Sequence, residues 1–170
     1  ITVDVSQALS KIQPALRIDK KFPKAAELLL QLMRAQLTED NSSLFYAVIE
    51  ELMASETRDI HDPSFRSTYI SLVEELSSKA SLFASPERRY RIHTWMCRAG
   101  AANLMFTDDS FQFARACRCV TDSLEGVTAD EDPLHEERRV AVVQALRASF
   151  KLYDKLWARP SIEACVKAAS

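Results

Sequence analysis

Glycine scarcity is the feature that most limits what this chain can fold into. Only Gly100 and Gly126 occur among its 170 residues. Phosphate-binding loops, dinucleotide-binding turns and nucleophile elbows need glycine where the backbone takes a positive φ or closely approaches a ligand. Tight β-hairpins depend on glycine as well. The count therefore excludes these sites, disfavours a β-sandwich or barrel, and predicts an all-α protein.

Helical periodicity and capping residues predict about eight helices. Helix one starts after Asp4, and Pro14 inside it is expected to kink or shorten it. Helix two covers residues 23–37, is apolar nearly all round, and is expected to be deeply buried. Helix three covers residues 43–55, and helix four covers residues 62–83, starting at an Asp-Pro pair. The residues expected to face inward from helices three and four are Phe45, Val48, Ile49, Leu52, Phe65, Tyr69, Leu72, Leu76, Ala80 and Phe83.

Two helices over residues 85–124 form a hairpin around which the predicted fold is organised. The first begins at Pro86, and a break at residues 107–109 separates it from the second. In the first helix, the expected inward side chains are Ile92, Met96, Ala99, Asn103 and Phe106, and the expected solvent-facing ones are Arg91, Thr94, Arg98 and Ala101. In the second, the expected buried set is Phe113, Cys117, Val120 and Leu124, and the expected exposed set is Phe111, Arg115, Arg118 and Asp122. An inward Asn103 needs a hydrogen-bond partner, because an unpaired buried amide costs about 1 to 3 kcal/mol.

The last predicted helices follow Gly126, which is expected at the left-handed position after a helix end. The seventh helix begins at Asp132-Pro133 and runs to about Trp157. Its first predicted apolar stripe is Val143, Leu146, Phe150, Tyr153 and Trp157, and a second stripe of Val142, Ala145, Ser149, Leu152 and Leu156 lies beside it. An apolar face this wide is expected to touch two neighbouring helices, and a short eighth helix starts at Pro160.

Paired into antiparallel hairpins, the predicted helices begin near residues 4, 43, 86 and 133, with spacings of 39, 43 and 47 residues. Units of roughly 40 to 47 residues are typical of HEAT or armadillo superhelices. No residue signature repeats between the pairs, so an irregular helical bundle is the equal alternative. We expect residues 1–170 to form one domain, and a start at Ile1 is compatible with excision from a longer protein.

Charge, apolar runs and cysteine content indicate the cellular compartment in which the protein is expected. The net charge of −2 gives no general attraction to nucleic acid or to an anionic membrane. No apolar run reaches the roughly 18 residues of a membrane span, and the N-terminus does not resemble a signal peptide. The four cysteines contain no CxxC pair. We therefore predict an intracellular protein with reduced thiols, no membrane contact and no cofactor.

Metal and catalytic sites are not predicted. His93 and Cys97 are four residues apart, but two ligands do not make a zinc site. The acidic run at residues 130–132 lacks the glycine and terminal glutamate of a calcium loop. Carboxylates on the polar helix faces have no basic or nucleophilic partner at a recognisable spacing. The sequence thus predicts no metal ligand, no catalytic residue and no enzymatic activity.

Arginine enrichment in the second half of the sequence is the feature that indicates a type of binding partner. Ten of the 13 basic residues in positions 85–170 are arginines, which suit bidentate recognition of carboxylate or phosphate. A phenylalanine one turn from an arginine adds the aromatic contact that is enriched in binding hot spots. The predicted partner-binding residues are Arg91, Arg98, Phe111, Arg115 and Arg118. The alternatives are that the arginines form ordinary solvated ion pairs and that Phe111 packs under the preceding loop.

Two functional hypotheses follow. The first is an intracellular interaction scaffold that presents a helical groove to a partner peptide or helix, such as an acidic or phosphorylated protein segment. The second is an RNA-associated helical domain in a translation or RNA-processing assembly. Salt separates them, because phosphate-dominated binding weakens steeply between low and moderate salt.

Overall fold

A computed structural model describes residues 4–55, 57–125 and 133–169, which form eight α-helices and no strand. The all-α prediction is confirmed. The chain divides into two compact units, unit 1 (Ile1–Arg89) and unit 2 (Tyr90–Ser170). The prediction of one domain over residues 1–170 stays a prediction.

Unit 1 contains α1 (Val5–Leu16), α2 (Phe22–Gln36), α3 (Ser42–Ala54), α4 (Arg66–Ser78) and a 3-10 turn (Ala80–Leu82). The boundary between the units falls within α5 (Pro86–Trp95). Helix α5 continues in unit 2 as a π-helical segment (Met96–Ala101) and a last helical turn (Ala102–Leu104), followed by α6 (Ser110–Glu125), α7 (Pro133–Ser149), a 3-10 turn (Phe150–Leu152) and α8 (Arg159–Ala169).

A side-chain cap explains where α1 begins, and a preceding turn explains where α4 begins. The Asp4 carboxylate accepts a hydrogen bond from the Gln7 amide at 3.1 Å, as its position predicted. Helix α1 remains helical through Pro14 and ends two residues later, so the expected shortening does not occur. Helix α4 begins three residues after Pro63, because the Asp62 carboxylate accepts from the Ser64 amide at 2.7 Å and holds a turn there. The predicted start of helix four was therefore wrong.

The core of unit 1 is built around Phe22, which is fully buried. Its ring centroid lies 5.1 Å from that of Tyr69, and the Arg58 guanidinium carbon lies 4.0 Å above the Phe22 ring. The predicted inward residues of α3 are all buried. Helix α2 buries only one face, however, since Leu28 is 42% exposed, and the expectation of burial all round was wrong.

The π-helical segment changes which side chains of the central hairpin are buried. The Ala102 amide donates to the Cys97 carbonyl five residues back, which inserts an extra residue into the helical turn. Ala101 is therefore buried, although a 3.6-residue period placed it toward solvent. Thr94 is also buried, because its hydroxyl donates to the Tyr90 carbonyl at 3.2 Å and needs no water. Both solvent-facing predictions were wrong.

Small side chains let the π-helical segment and α7 approach each other. Cys97 and Ala101 from the segment share one buried cluster with Ala141, Val142 and Ala145 from α7. Such short side chains leave room for close packing of the two backbones. The predicted partner of Asn103 is present within the hairpin, since its amide nitrogen donates to the Ala99 carbonyl at 2.8 Å.

Helix α6 supplies the largest side chain of the same cluster. The Asp109 carboxylate caps the helix by accepting from the amides of Phe111 and Gln112 at 2.8 and 3.2 Å, which confirms the predicted break. Phe113 and Val120 are buried as predicted. The predictions for Gly126 and for the acidic run at residues 130–132 lie outside the described residues.

Candidate docking surface

Helix α7 ends at Ser149, eight residues before its predicted end. The Ser149 hydroxyl donates to the Leu146 carbonyl at 2.7 Å. Three successive turns then form, as the amides of Tyr153, Lys155 and Ala158 each donate to the carbonyl three residues back at 2.9 to 3.1 Å. Residues 150–158, called here the α7–α8 connection, therefore lie outside the two helices.

The structure buries only part of the wide apolar face predicted for the seventh helix. Val142, Ala145 and Ser149 of the second stripe are buried and Leu156 of that stripe is exposed, whereas the first stripe faces largely to solvent. Its exposed members are Val143 (45%), Phe150 (50%), Tyr153 (38%) and Trp157 (37%). The close approach to the π-helical segment selects the small residues for the interface, and the large ones do not fit there. The prediction that both stripes are buried was wrong.

Four large apolar side chains in the α7–α8 connection are exposed to solvent. They are Phe150, Tyr153, Leu156 and Trp157, of which Leu156 is 78% exposed. The connection is nevertheless anchored, because Ala158 is fully buried and the Trp157 ring stands edge-on to Phe113 at 5.5 Å. The exposed side chains are thus presented from a fixed backbone.

The start of α6 brings a further exposed phenylalanine to the same end of unit 2. Phe111 is 85% exposed and lies two residues before Phe113, on the side of α6 away from the ring that contacts Trp157. The alternative that Phe111 packs under the preceding loop is therefore wrong. The Lys151 ammonium lies 4.8 Å from the Phe106 ring, which also ties the α7–α8 connection to this turn. We call the set of Phe106, Phe150, Tyr153, Leu156 and Trp157 the apolar surface.

The predicted partner-binding arginines occupy different environments. Arg115 and Arg118 are exposed on α6, one and two turns from Phe111, so these three share a helix face. Arg98 is half-buried on the π-helical segment. Arg91 is half-buried on α5 and pairs with Glu137 of α7 at 3.5 Å. The structure therefore groups Phe111, Arg115 and Arg118 on one exposed face, and it gives Arg91 a carboxylate within unit 2.

A polar cluster around Tyr90 was not predicted from the sequence. The Arg138 guanidinium carbon lies 4.5 Å from the Tyr90 ring centroid, and the His135 ring stands edge-on to the same ring at 5.6 Å. Partial desolvation of the imidazole, together with the nearby Arg138 charge, lowers the pKa of His93. The Arg138 Nε and Tyr90 hydroxyl atoms are buried from solvent. Through these ring contacts the cluster packs α5 against α7.

The cysteines do not assemble with His93. His93 is exposed, whereas Cys97 is fully buried. Burial raises the pKa of the Cys97 thiol to about 12 and that of Cys119 to about 11, so both are protonated at neutral pH. All four cysteines are free thiols. Within residues 4–55, 57–125 and 133–169, no three His, Cys, Asp or Glu side chains are grouped so that they could hold a metal ion.

Unit 1 contains a cavity of about 450 Å³ between α1 and α3. Leu16, Val48 and Leu52 form its apolar lining, and the Arg17 Nε donates to the Glu51 carboxylate at 2.6 Å across its rim. Its size is that of a small-molecule pocket. The described charged groups that line it are already paired, so the cavity indicates no particular ligand.

Comparison with known protein families, curated proteins and solved structures found no significant match to this chain. Among the described helices, none combines the length and apolar character needed to cross a membrane.

Proposed function

We propose that this chain is a non-enzymatic protein-interaction domain that binds its partner through the apolar surface of unit 2. The observation that carries the proposal is the exposure of four large apolar side chains within the eight residues from Phe150 to Trp157. Large exposed apolar patches mark interaction sites, and aromatic residues dominate binding hot spots. Among the described residues of unit 1, by contrast, the exposed large apolar side chains are one each on or beside separate helices: Ile18, Leu28 and Leu44.

The predicted arginine site forms part of this proposal. We include Phe111 as an exposed contact that adjoins the apolar surface, with Arg115 and Arg118 on the same face of α6. Arg91 and Arg98, the other predicted partner-binding residues, are each half-buried and remain predictions. An intracellular location and a HEAT- or armadillo-like arrangement of the hairpins, with an irregular bundle as its alternative, remain further parts of the proposal.

An RNA-associated domain is the second candidate. The observation that favours it is the mixture of exposed aromatic rings with arginine and lysine in residues 147–159, because bases stack on aromatic side chains beside cations. Steep salt dependence and crosslinking to RNA are the results expected from this alternative.

Site-specific photocrosslinking tests the proposal. A benzophenone amino acid is introduced at Phe111 or at Leu156, both strongly exposed, in the full-length protein expressed in its native cells. We expect defined protein adducts from both positions, resistant to nuclease. Matched controls carry the same amino acid at Leu28 or Leu44, which are 42% and 41% exposed in unit 1. Nuclease-sensitive adducts would favour the RNA alternative, and equal adduct patterns at all four positions would contradict the proposed surface.

A further inference from the structure

We infer that the occupant of the apolar surface is an acidic amphipathic helix of a partner protein. This inference rests on the proposed function and adds the chemistry of the partner.

Basic residues recur at a regular interval along the α7–α8 connection and at both of its ends. Arg147, Lys151, Lys155 and Arg159 recur at every fourth position, and Asp154 is the one acidic residue between positions 147 and 159. Arg147, Lys151 and Lys155 are exposed and form no ion pair with any other described residue. The apolar surface is therefore flanked by cations whose charge the described residues leave unneutralised, which favours an acidic partner by electrostatic complementarity.

The described part of the chain offers no sheet edge to an extended peptide, which favours a helical partner. Extended peptides commonly bind by adding a strand to an exposed sheet edge, and the described part of this chain contains no strand to extend. A helix can instead place apolar residues at positions i, i+3, i+4 and i+7 against exposed rings such as Phe150 and Trp157. Acidic residues at the borders of that stripe would then meet the flanking cations.

Nearby carboxylates argue against a continuous polyanion as the occupant. Asp108 and Asp109 precede Phe111, and Asp154 lies inside the α7–α8 connection, all exposed. A lipid surface or a nucleic-acid backbone would bring phosphates against these carboxylates, whereas a helix can position its acidic residues individually. A second copy of this chain would place the same cations face to face, because a two-fold interface pairs identical patches.

Selection from a random peptide library tests the inference. The full chain is used to select 16-residue peptides, and peptides that still bind a variant carrying Phe111→Ser with Leu156→Ser are removed. We expect the enriched peptides to be acidic, to carry apolar residues at helical spacing, and to gain helical circular dichroism on binding. Their affinity should fall at least about 10-fold in a Lys151→Glu, Lys155→Glu variant of unchanged Tm, and less in an Arg139→Glu control, whose exposed guanidinium pairs with Glu136.

The outcomes separate the inference from the proposed function. The enriched peptides could instead be basic, neutral, or proline-rich and extended, and still depend on Phe111 and Leu156. That result would overturn the inference of an acidic helix but would agree with the proposed interaction surface. Loss of every wild-type binder at the step that removes peptides binding the Phe111→Ser, Leu156→Ser variant would contradict the proposed function itself. Binding of vesicles with anionic lipid, binding of single-stranded RNA, or concentration-dependent self-association, each lost in the Phe111→Ser, Leu156→Ser variant, would assign the surface to a different occupant and overturn the inference.

Discussion

Replacing Phe113 with alanine is expected to destabilise the protein by about 3 to 5 kcal/mol. The Phe113 ring is 1% exposed, belongs to the buried cluster of α6, α7 and α8, and supports the Trp157 ring at 5.5 Å. Its removal leaves a cavity and withdraws the support of the α7–α8 connection. Urea denaturation followed by circular dichroism measures the change in the free energy of unfolding.

Phe111 provides the matched control, since it is the same residue type two positions earlier on the same helix. It is 85% exposed, so Phe111→Ala is expected to change the free energy of unfolding by no more than about 0.5 kcal/mol. Phe150→Ala, at a position that the sequence placed in the core, should also cost less than about 1.5 kcal/mol because the ring is half-exposed. Equal losses at Phe111 and Phe113 would contradict the assigned faces of α6.

The double change Phe111→Ser, Leu156→Ser is expected to weaken binding of a peptide selected on the wild-type protein by about 30-fold or more. Both side chains are largely exposed, at 85% and 78%, so their removal takes apolar contact from the interface and little from the core. Truncating a central hot-spot residue typically costs about 2 kcal/mol or more, which corresponds to this fold-change. Isothermal titration gives the affinity, and thermal denaturation gives the Tm.

The control for this variant is Leu28→Ser, Leu44→Ser, which removes two exposed leucines from unit 1. Its affinity for the same peptide should match that of the wild type. Comparable weakening in both variants would indicate that general exposure of apolar residues, and not the apolar surface, accounts for binding.

Local signals were sufficient to predict the helices and several of their ends. The two-glycine count indicated the all-α class, and the carboxylates of Asp4 and Asp109 cap helices at the predicted places. The faces of α3 and α6 also followed from periodicity, because each has one apolar stripe and no competing one.

The end of α7 could not be predicted, because helical period continues through the α7–α8 connection to Trp157 and Pro160 is the first residue that breaks it. The choice between the two stripes of α7 depends on a neighbour that is distant in sequence. Ala141 and Ala145 pack on the π-helical segment, and that segment is itself a departure from the 3.6-residue period. One available signal was the small size of residues on the buried stripe, which favours a close crossing.

Of the proposed docking region, the sequence predicted only Phe111 and the arginines on its helix face. Phe150 and Trp157 were assigned to the core, because large apolar residues at helical spacing usually face inward. Their flanking cations at every fourth position are the pattern in the sequence that could have indicated an exposed segment.

Hydrogen exchange of the full-length protein, with and without the partner that is photocrosslinked at Leu156, tests the interaction surface most directly. The account predicts slower amide exchange on binding in residues 106–113 and 147–159, and unchanged exchange in α2 and α3. Protection confined to other segments, with no change in the α7–α8 connection, would contradict it.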